Sequence, residues 1–333
     1  MDDGTREGAE GRRIVVTGAG GFIGAALCRR LVADGDEVVG LDRSPAVADR
    51  VQATGATFRA ADVTDPAGVA AAVEGADGVI HTAALVSDWG AMADFVRVNV
   101  GGTRTVLDAA QAAGVRRVVH LSSVATWGYE FRGDLASEDA PARVCGAPYV
   151  DTKTASHLLA LGRGAAVVRP GDVYGPHSEP WTSRPVRMLR AGRFVLPGDG
   201  GGILTPVYVD DLVDCVVLAL RHPDAGGRAV TAHDGSPVTA REFFGHYARM
   251  LGQGPVRTLP APLLRAAALA FETVARRTGG TPDVTRQALT YITRRGAYPN
   301  TAARDLLGWE PRVDLAEGMR RTEAWLRDDG LLG

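Results

Sequence analysis

The chain has 333 residues, 45% hydrophobic and 23% charged, with a formal net charge of -2, enough to bury a sizeable core as one large α/β unit or two lobes. Such a balance gives no global field to recruit nucleic acid or an anionic membrane. The three cysteines, Cys28, Cys145 and Cys215, are far apart and form no C-x-x-C pair, which argues against a disulfide framework or a metal site and suits a reducing, cytoplasmic compartment.

In chain order, residues 1–11 are polar, carry no apolar signal segment and read as a flexible tail. "RRIVVTG" (12–18) predicts a strand. A helix follows over 22–35, with Ile23, Leu27 and Leu31 at spacing four. Further strands are expected at 37–42, 57–62, 78–84, 117–123 and 165–170, with helices between them. Runs that are apolar throughout are buried on both faces. With helical crossovers they predict a parallel, doubly wound sheet of Rossmann type. After Gly175 the pattern loosens. Residues 206–220 read as a strand passing into a helix, and 228–234 as one more strand. From Ser236 the chain reads as mostly helical. A dinucleotide-binding domain is thus expected from 12–176 plus about 207–235, and a smaller substrate-binding lobe from about 177–206 plus 236–333. No uncharged apolar run reaches the ~18 residues of a spanning helix. "APLLRAAALAFETVARR" (261–277) is apolar but carries Arg265 and Glu272. It reads as a buried cap helix, with a membrane-surface helix as the alternative.

"VTGAGGFIG" places Gly18, Gly21 and Gly24 between the first strand and the first helix. Glycine permits the tight turn and a close backbone approach to a pyrophosphate, and the helix N-terminus then faces the anion. Asp42 ends the second strand, where a carboxylate accepts hydrogen bonds from adenosine ribose hydroxyls and repels a 2′-phosphate. That favours NAD over NADP, with Arg43 as the counter-indication.

"TGAGGFIG" (17–24), "HTAA" (81–84), "NVGGT" (99–103), "LSSVATWG" (121–128), "YVDTK" (149–153), "RPGDVYGP" (169–176) and "VYVDDL" (207–212) occur in this order. Together they resemble the extended short-chain dehydrogenase/reductases of the NAD-dependent epimerase/dehydratase superfamily. The likeness is greater to the 3β-hydroxysteroid dehydrogenase-like branch than to the sugar-nucleotide epimerases. Hydride transfer at a carbinol carbon needs a proton to move at the oxygen. A tyrosine with a pKa of ~10 is a poor base at neutral pH, and a lysine four residues on favours its phenolate. Tyr149 is therefore read as the general acid/base and Lys153 as its tuner. The resemblance adds Ser123, four residues before Trp127, as the hydroxyl on the substrate oxygen, with Ser122 as its fallback.

By the same resemblance Phe22 and Ile23 belong to the cofactor loop, and Asp62 and Val63 flank the adenine. Ala83 and Ala84 let backbone approach the cofactor, Asn99 ties its helix to a strand, and Pro170 and Val173 sit beside the nicotinamide. His81 is read as a strand residue near the cofactor. His157 stands where a glutamate is common, which implies an altered surface or interface contact. The arginine that clamps a substrate diphosphate in sugar-nucleotide members falls at Leu204. The substrate is therefore expected to be apolar or mid-sized, contacted by Ser87, Asp88 and Trp89 in the loop after strand four, and by Thr126 and Trp127. These expectations describe an NAD(H)-dependent alcohol dehydrogenase or ketoreductase, with a sugar epimerase or dehydratase as the alternative. The resemblance also implies a homodimer through two helices beside the sheet, one of them bearing Tyr149.

Overall fold

The computed structural model describes residues 11–129, 133–135 and 137–332, so the tail expected over 1–11 lies, but for Gly11, outside the described residues. Nine strands concern the site: β1 (Arg13–Thr17), β2 (Glu37–Asp42), β3 (Thr57–Ala60), β4 (Gly78–His81), β5 (Arg117–Leu121), β6 (Ala166–Pro170), β7 (Asp172–Tyr174), β8 (Pro206–Tyr208) and β9 (Ala229–Ala232). Seven of them form one sheet in the order β9-β6-β5-β4-β1-β2-β3. Every pairing within it is parallel. β7 and β8 pair in parallel with each other. Along β1, Ile14 and Val16 join one core while Val15 joins another. Period-two alternation with apolar residues on both sides means helices on both faces.

Those helices are α1 (Phe22–Ala33), α2 (Pro66–Val73), α3 (Thr103–Ala112), α4 (Pro148–Gly162) and α5 (Val209–Arg221). α1 packs on α5, and α3 packs on both α2 and α4. Beyond the last strand come α6 (Ala240–Met250), α7 (Ala261–Thr278), α8 (Arg286–Ile292) and α9 (Leu315–Asp328). The sheet reverses its order between β1 and β4, which opens a crevice at the carboxyl ends of those strands. β3, β4 and β5 end at Ala60, His81 and Leu121, earlier than the apolar runs suggest. The residues that follow turn away to line that crevice.

The cap helix expected at 261–277 forms, but it is not buried. Only Ala268, Glu272 and Ala275 of α7 are buried, while Leu263, Leu269, Phe271 and Val274 face solvent. Its inner face is a narrow contact with α8, so most of the apolar surface points outward. Among the described residues no helix is long and apolar enough to cross a membrane.

Candidate active site

The glycine loop is built without room for side chains. Gly18 has φ of +70° and a Cβ there would lie 2.9 Å from Ala83 Cα. A Cβ on Gly24 would lie 2.2 Å from the Gly18 carbonyl oxygen. Gly21 is the exposed N-cap of α1 and no side chain caps it; Phe22 and Ile23 are half-buried beside it. Asp42 Oδ2 accepts from Gly20 N at 3.1 Å and Oδ1 from Ser44 N at 3.1 Å. A carboxylate oxygen has two lone pairs, so Asp42 keeps acceptor capacity for a ribose hydroxyl. An uncapped helix N-terminus, a bare turn and this carboxylate are the set a dinucleotide needs, and the loop fits one.

Asp62 lies half-buried after β3. Burial raises its pKa, but hydrogen bonds from Thr64 and the charges of Arg43 and Arg97 outweigh that and hold it below the ordinary carboxylate range. Arg43 itself is exposed. The Val63 side chain is buried in the core and meets Gly102; only its backbone can face a ligand. Pro170 and Val173 end up buried at the close of β6 and within β7. Ala83 and Ala84 are half-buried at the mouth of the crevice.

The three proposed catalytic side chains come together at the ends of β5 and α4. Pro148 opens α4 at its first turn, and Asp151 ties the preceding loop down by accepting from Cys145 N and Gly146 N at 2.7 and 3.0 Å. That fixes Tyr149 one turn before Lys153. Ser123 Oγ accepts from Ala125 N at 3.1 Å, and the Ser123 and Tyr149 side chains share a hydrogen bond. Lys153 is buried, and its Nζ donates to the Leu121 carbonyl at 2.6 Å. Burial alone lowers this ammonium to about 8. The Tyr149 phenol stands above its ordinary value. Burial is the larger cause, and the Ser123 hydrogen bond opposes it. The expected lowering of the phenol is thus not seen in this arrangement, because burial outweighs the helix spacing on which that expectation rested.

Beneath the triad lies a layer of buried histidines. His81 bonds Thr17 Oγ1 through Nδ1 (2.8 Å) and Thr103 Oγ1 through Nε2 (3.0 Å). His157 Nδ1 meets Ser122 Oγ at 3.0 Å. Burial lowers His81 to about 3, and burial with the charges of Arg169 and Lys153 lowers His157 to about 4. His157 is therefore a neutral core group and not the surface contact expected of it. It fixes Ser122, whose role is to hold the strand end. His120 is also buried, and neither ring nitrogen finds a hydrogen-bond partner among the described residues. Asn99 sits in a π-helical turn (Val96–Gly102), a common device at functional sites. Its amide bonds both Leu85 N and Leu85 O, and also Thr152 on α4, so it fastens the loop after β4 to the helix of Tyr149.

The opposite wall comes from residues the sequence did not single out. Asp172 on β7 is wholly buried. Its carboxylate accepts from Tyr291 Oη, from Arg294 Nη2 at 2.8 Å and from Thr205 N at 2.8 Å. The side chains of Asp172 and Arg294 are each 0% exposed. The Arg294 guanidinium lies 3.9 Å from the Tyr291 ring and 5.6 Å from that of Tyr298. Tyr291 meets Tyr129 edge-on at 4.6 Å, and the Tyr129 phenol is close enough to feel both Tyr149 and Arg294. The available signal was a charge inside "VVRPGDVY" (167–174), a run otherwise fit for burial on both faces.

The expected substrate contacts fare unevenly. Thr126 is buried and bonds the Ser123 carbonyl at 3.0 Å; it is a structural hydroxyl. Trp127 does not form an open pocket wall. It is buried between Arg169 (4.2 Å) and Tyr298 (5.3 Å), and its Nε1 donates to Ala140 O. Ser87, Asp88 and Trp89 are half-buried in the loop after β4. That loop reaches across the cleft, where Thr285 Oγ1 donates to Asp88 at 2.5 Å and Arg276 lies 5.5 Å from the Trp89 ring.

Residues 14–231 match the family described as the NAD dependent epimerase/dehydratase family. The chain is 30% identical to the 2-alkyl-3-oxoalkanoate reductase of Stenotrophomonas maltophilia, over 94% of its own length and 98% of that protein. It is 32% identical to the UDP-glucose 4-epimerase of Mycolicibacterium smegmatis, over 95% and 99% of the two chains. The solved structure of a dTDP-glucose 4,6-dehydratase from Streptomyces venezuelae with NAD bound matches with a TM-score of 0.78 at 27% identity, covering 95% of this chain and 97% of that one.

Proposed function

From the premise that this chain belongs to the NAD dependent epimerase/dehydratase family of enzymes, we propose that it interconverts a secondary alcohol and a ketone on an apolar or mid-sized substrate, steroid-, terpenoid- or polyketide-like. The observation that carries this reading is the hydrogen bond between Ser123 and Tyr149, with Lys153 one turn further along the same helix. When bound, NAD gives or takes the hydride. Ser123 Oγ accepts from Ala125 N, and its single proton, shared with the Tyr149 phenol, turns to the substrate oxygen when substrate is bound. Tyr149 Oη gives its proton to that oxygen in reduction and takes it back in oxidation. A buried phenol is protonated at neutral pH, which suits the reducing direction. Lys153 has two further N–H donors beyond the one held by Leu121 O, and its charge favours the phenolate when oxidation requires it.

The far wall supports an uncharged substrate. Its arginine, Arg294, is neutralised by Asp172. Leu204, where the resemblance puts a diphosphate clamp, is sealed in the core. In this reading residues 177–206 and 236–333 form the substrate-binding lobe, and a homodimer through α3 and α4 covers the exposed Leu158. The likeness to a UDP-glucose 4-epimerase favours a second reading, sugar-nucleotide epimerisation without net redox change. An NADH-coupled absorbance screen over hydroxysteroids, polyketide-like ketones and UDP-sugars separates the two. Turnover confined to UDP-sugars overturns the substrate assignment.

A further inference from the structure

α7 turns the wrong side outward for a helix of a free-standing globule. At 100° per residue, Leu263, Ala266, Ala270, Phe271 and Val274 fall on one stripe. The stripe is opposite to the buried Ala268, Glu272 and Ala275. Its large members are open to solvent, Leu263 at 56%, Phe271 at 46% and Val274 at 59%, and Ala266 and Ala270 are exposed between them. A contiguous apolar stripe of this kind marks a surface that something covers.

Charge identifies what covers it. Arg265, Arg276 and Arg277 of α7 are exposed. The only acid on the helix, Glu272, is buried and accepts from Arg286 N and Nε. Every exposed charge of α7 is therefore positive, although the chain as a whole is slightly acidic. A sheet of anionic head groups over acyl chains satisfies both features at once.

We propose that α7 is an interfacial docking helix: its outer stripe lies in the boundary of an anionic lipid surface, with Arg277, at the C-terminal end of that stripe, at the level of the phosphates. The helix rests on the loop after β4 through Arg276 over Trp89, and the neighbouring Thr285 holds Asp88. Docking thus sets the rim of the cleft against the lipid, where apolar compounds are concentrated. That last consequence rests on the function proposed above; the docking itself does not.

The test is flotation of the full chain with vesicles of phosphatidylcholine alone or with about one third phosphatidylglycerol, at low and high salt. Binding is expected on the anionic vesicles and should fall several-fold at high salt. Leu263→Ser/Phe271→Ser/Val274→Ser should lower the bound fraction about tenfold or more, and Arg277→Gln several-fold. Both variants alter exposed side chains, so an unchanged thermal midpoint and NAD affinity are expected and certify folding. No binding of the wild type to anionic vesicles overturns the proposal, as does binding that survives both variants. A triple-serine variant that sediments as a monomer where the wild type is a dimer assigns the stripe to a second copy instead. Since turnover is not read, failure here is separate from failure of the alcohol–ketone reading.

Discussion

The two walls of the catalytic cleft are held in place in different ways. The wall bearing Ser123, Tyr149 and Lys153 is set by short-range rules: a strand end, a proline-started helix and a four-residue spacing. Its members reach one another through neutral hydrogen bonds and one lysine–carbonyl contact. The wall bearing Tyr291, Arg294 and Tyr298 is set by long-range contacts centred on the buried ion pair of Asp172 and Arg294, with Tyr291 Oη on the same carboxylate and His233 on the Tyr298 carbonyl. The first wall tolerates movement of its partner and keeps its chemistry. The second is centred on a buried ion pair, and removing half of it leaves a charge in the core.

That contrast is sharpest in the response to single substitutions. Tyr149→Phe should lower kcat about 10²–10⁴-fold with the thermal midpoint and NAD affinity nearly unchanged, because the lost hydroxyl carries chemistry and little packing. Steady-state kinetics with a fluorescence titration of NAD reads both. Arg294→Met should do the reverse. It strands Asp172 without its cation, at a cost of about 3–5 kcal/mol of stability, seen in urea denaturation. Asp172→Asn/Arg294→Met should recover much of that loss, since no unpaired charge remains. A neutral Arg294→Met would show that the pair is not a strut and would erase the distinction between the walls.

The legibility of the sequence follows the same division. The sheet, the glycine loop and the Ser-Tyr-Lys set were readable because each is a local pattern: β-branched runs, Gly18 to Gly24, Tyr149 to Lys153. The far wall was not, because an Asp and an Arg 122 residues apart leave no periodic trace. The Tyr291–Arg294–Tyr298 spacing is also that of any amphipathic turn. His157 was read as a surface change because its position on α4 was known and its neighbour across β5, Ser122, was not. Trp127 was expected to widen the pocket; Arg169 and Tyr298, both distant in sequence, close over it instead. α7 was misjudged for a related reason. Apolarity predicts burial only when another element is available to pack against.

Protons probe the near wall more gently. Lys153 releases its proton near pH 8 in the folded chain, whereas an unfolded lysine holds it to the ordinary value near 10.5. Between these values the unfolded chain holds the lysine's proton, so the Lys153 contribution to stability rises with pH. Above about 9 the buried Cys28 and Cys215 thiols, held protonated by burial, pull the other way. The gain is about 1–3 kcal/mol. Lys153→Met should flatten the rise below the ordinary thiol value of 9.0, and urea midpoints measured from about pH 7.5 up to that value report it. A slope unchanged in that variant would assign the rise to other groups.

The histidine layer should give an effect of the same sign at acid pH. Unfolded histidine takes a proton near its ordinary 6.5, while His157 resists until about 4 and His81 until about 3. Between 6.5 and 4 the unfolded chain again binds more protons, so stability is lost as the pH falls through this range. His157→Gln keeps a donor and acceptor for Ser122 and cannot charge. It should remove part of the acid slope, about 1–3 kcal/mol, and leave the slope at alkaline pH untouched. The far wall offers a control: Arg294 stays charged throughout, its pKa held up by Asp172 against the pull of burial. The Asp172→Asn/Arg294→Met variant, which strands no carboxylate, should therefore keep the acid slope of the wild type. If the acid slope vanishes in Asp172→Asn/Arg294→Met and persists in His157→Gln, the proton-sensitive groups belong to the far wall, and the division of labour between the two walls is wrong.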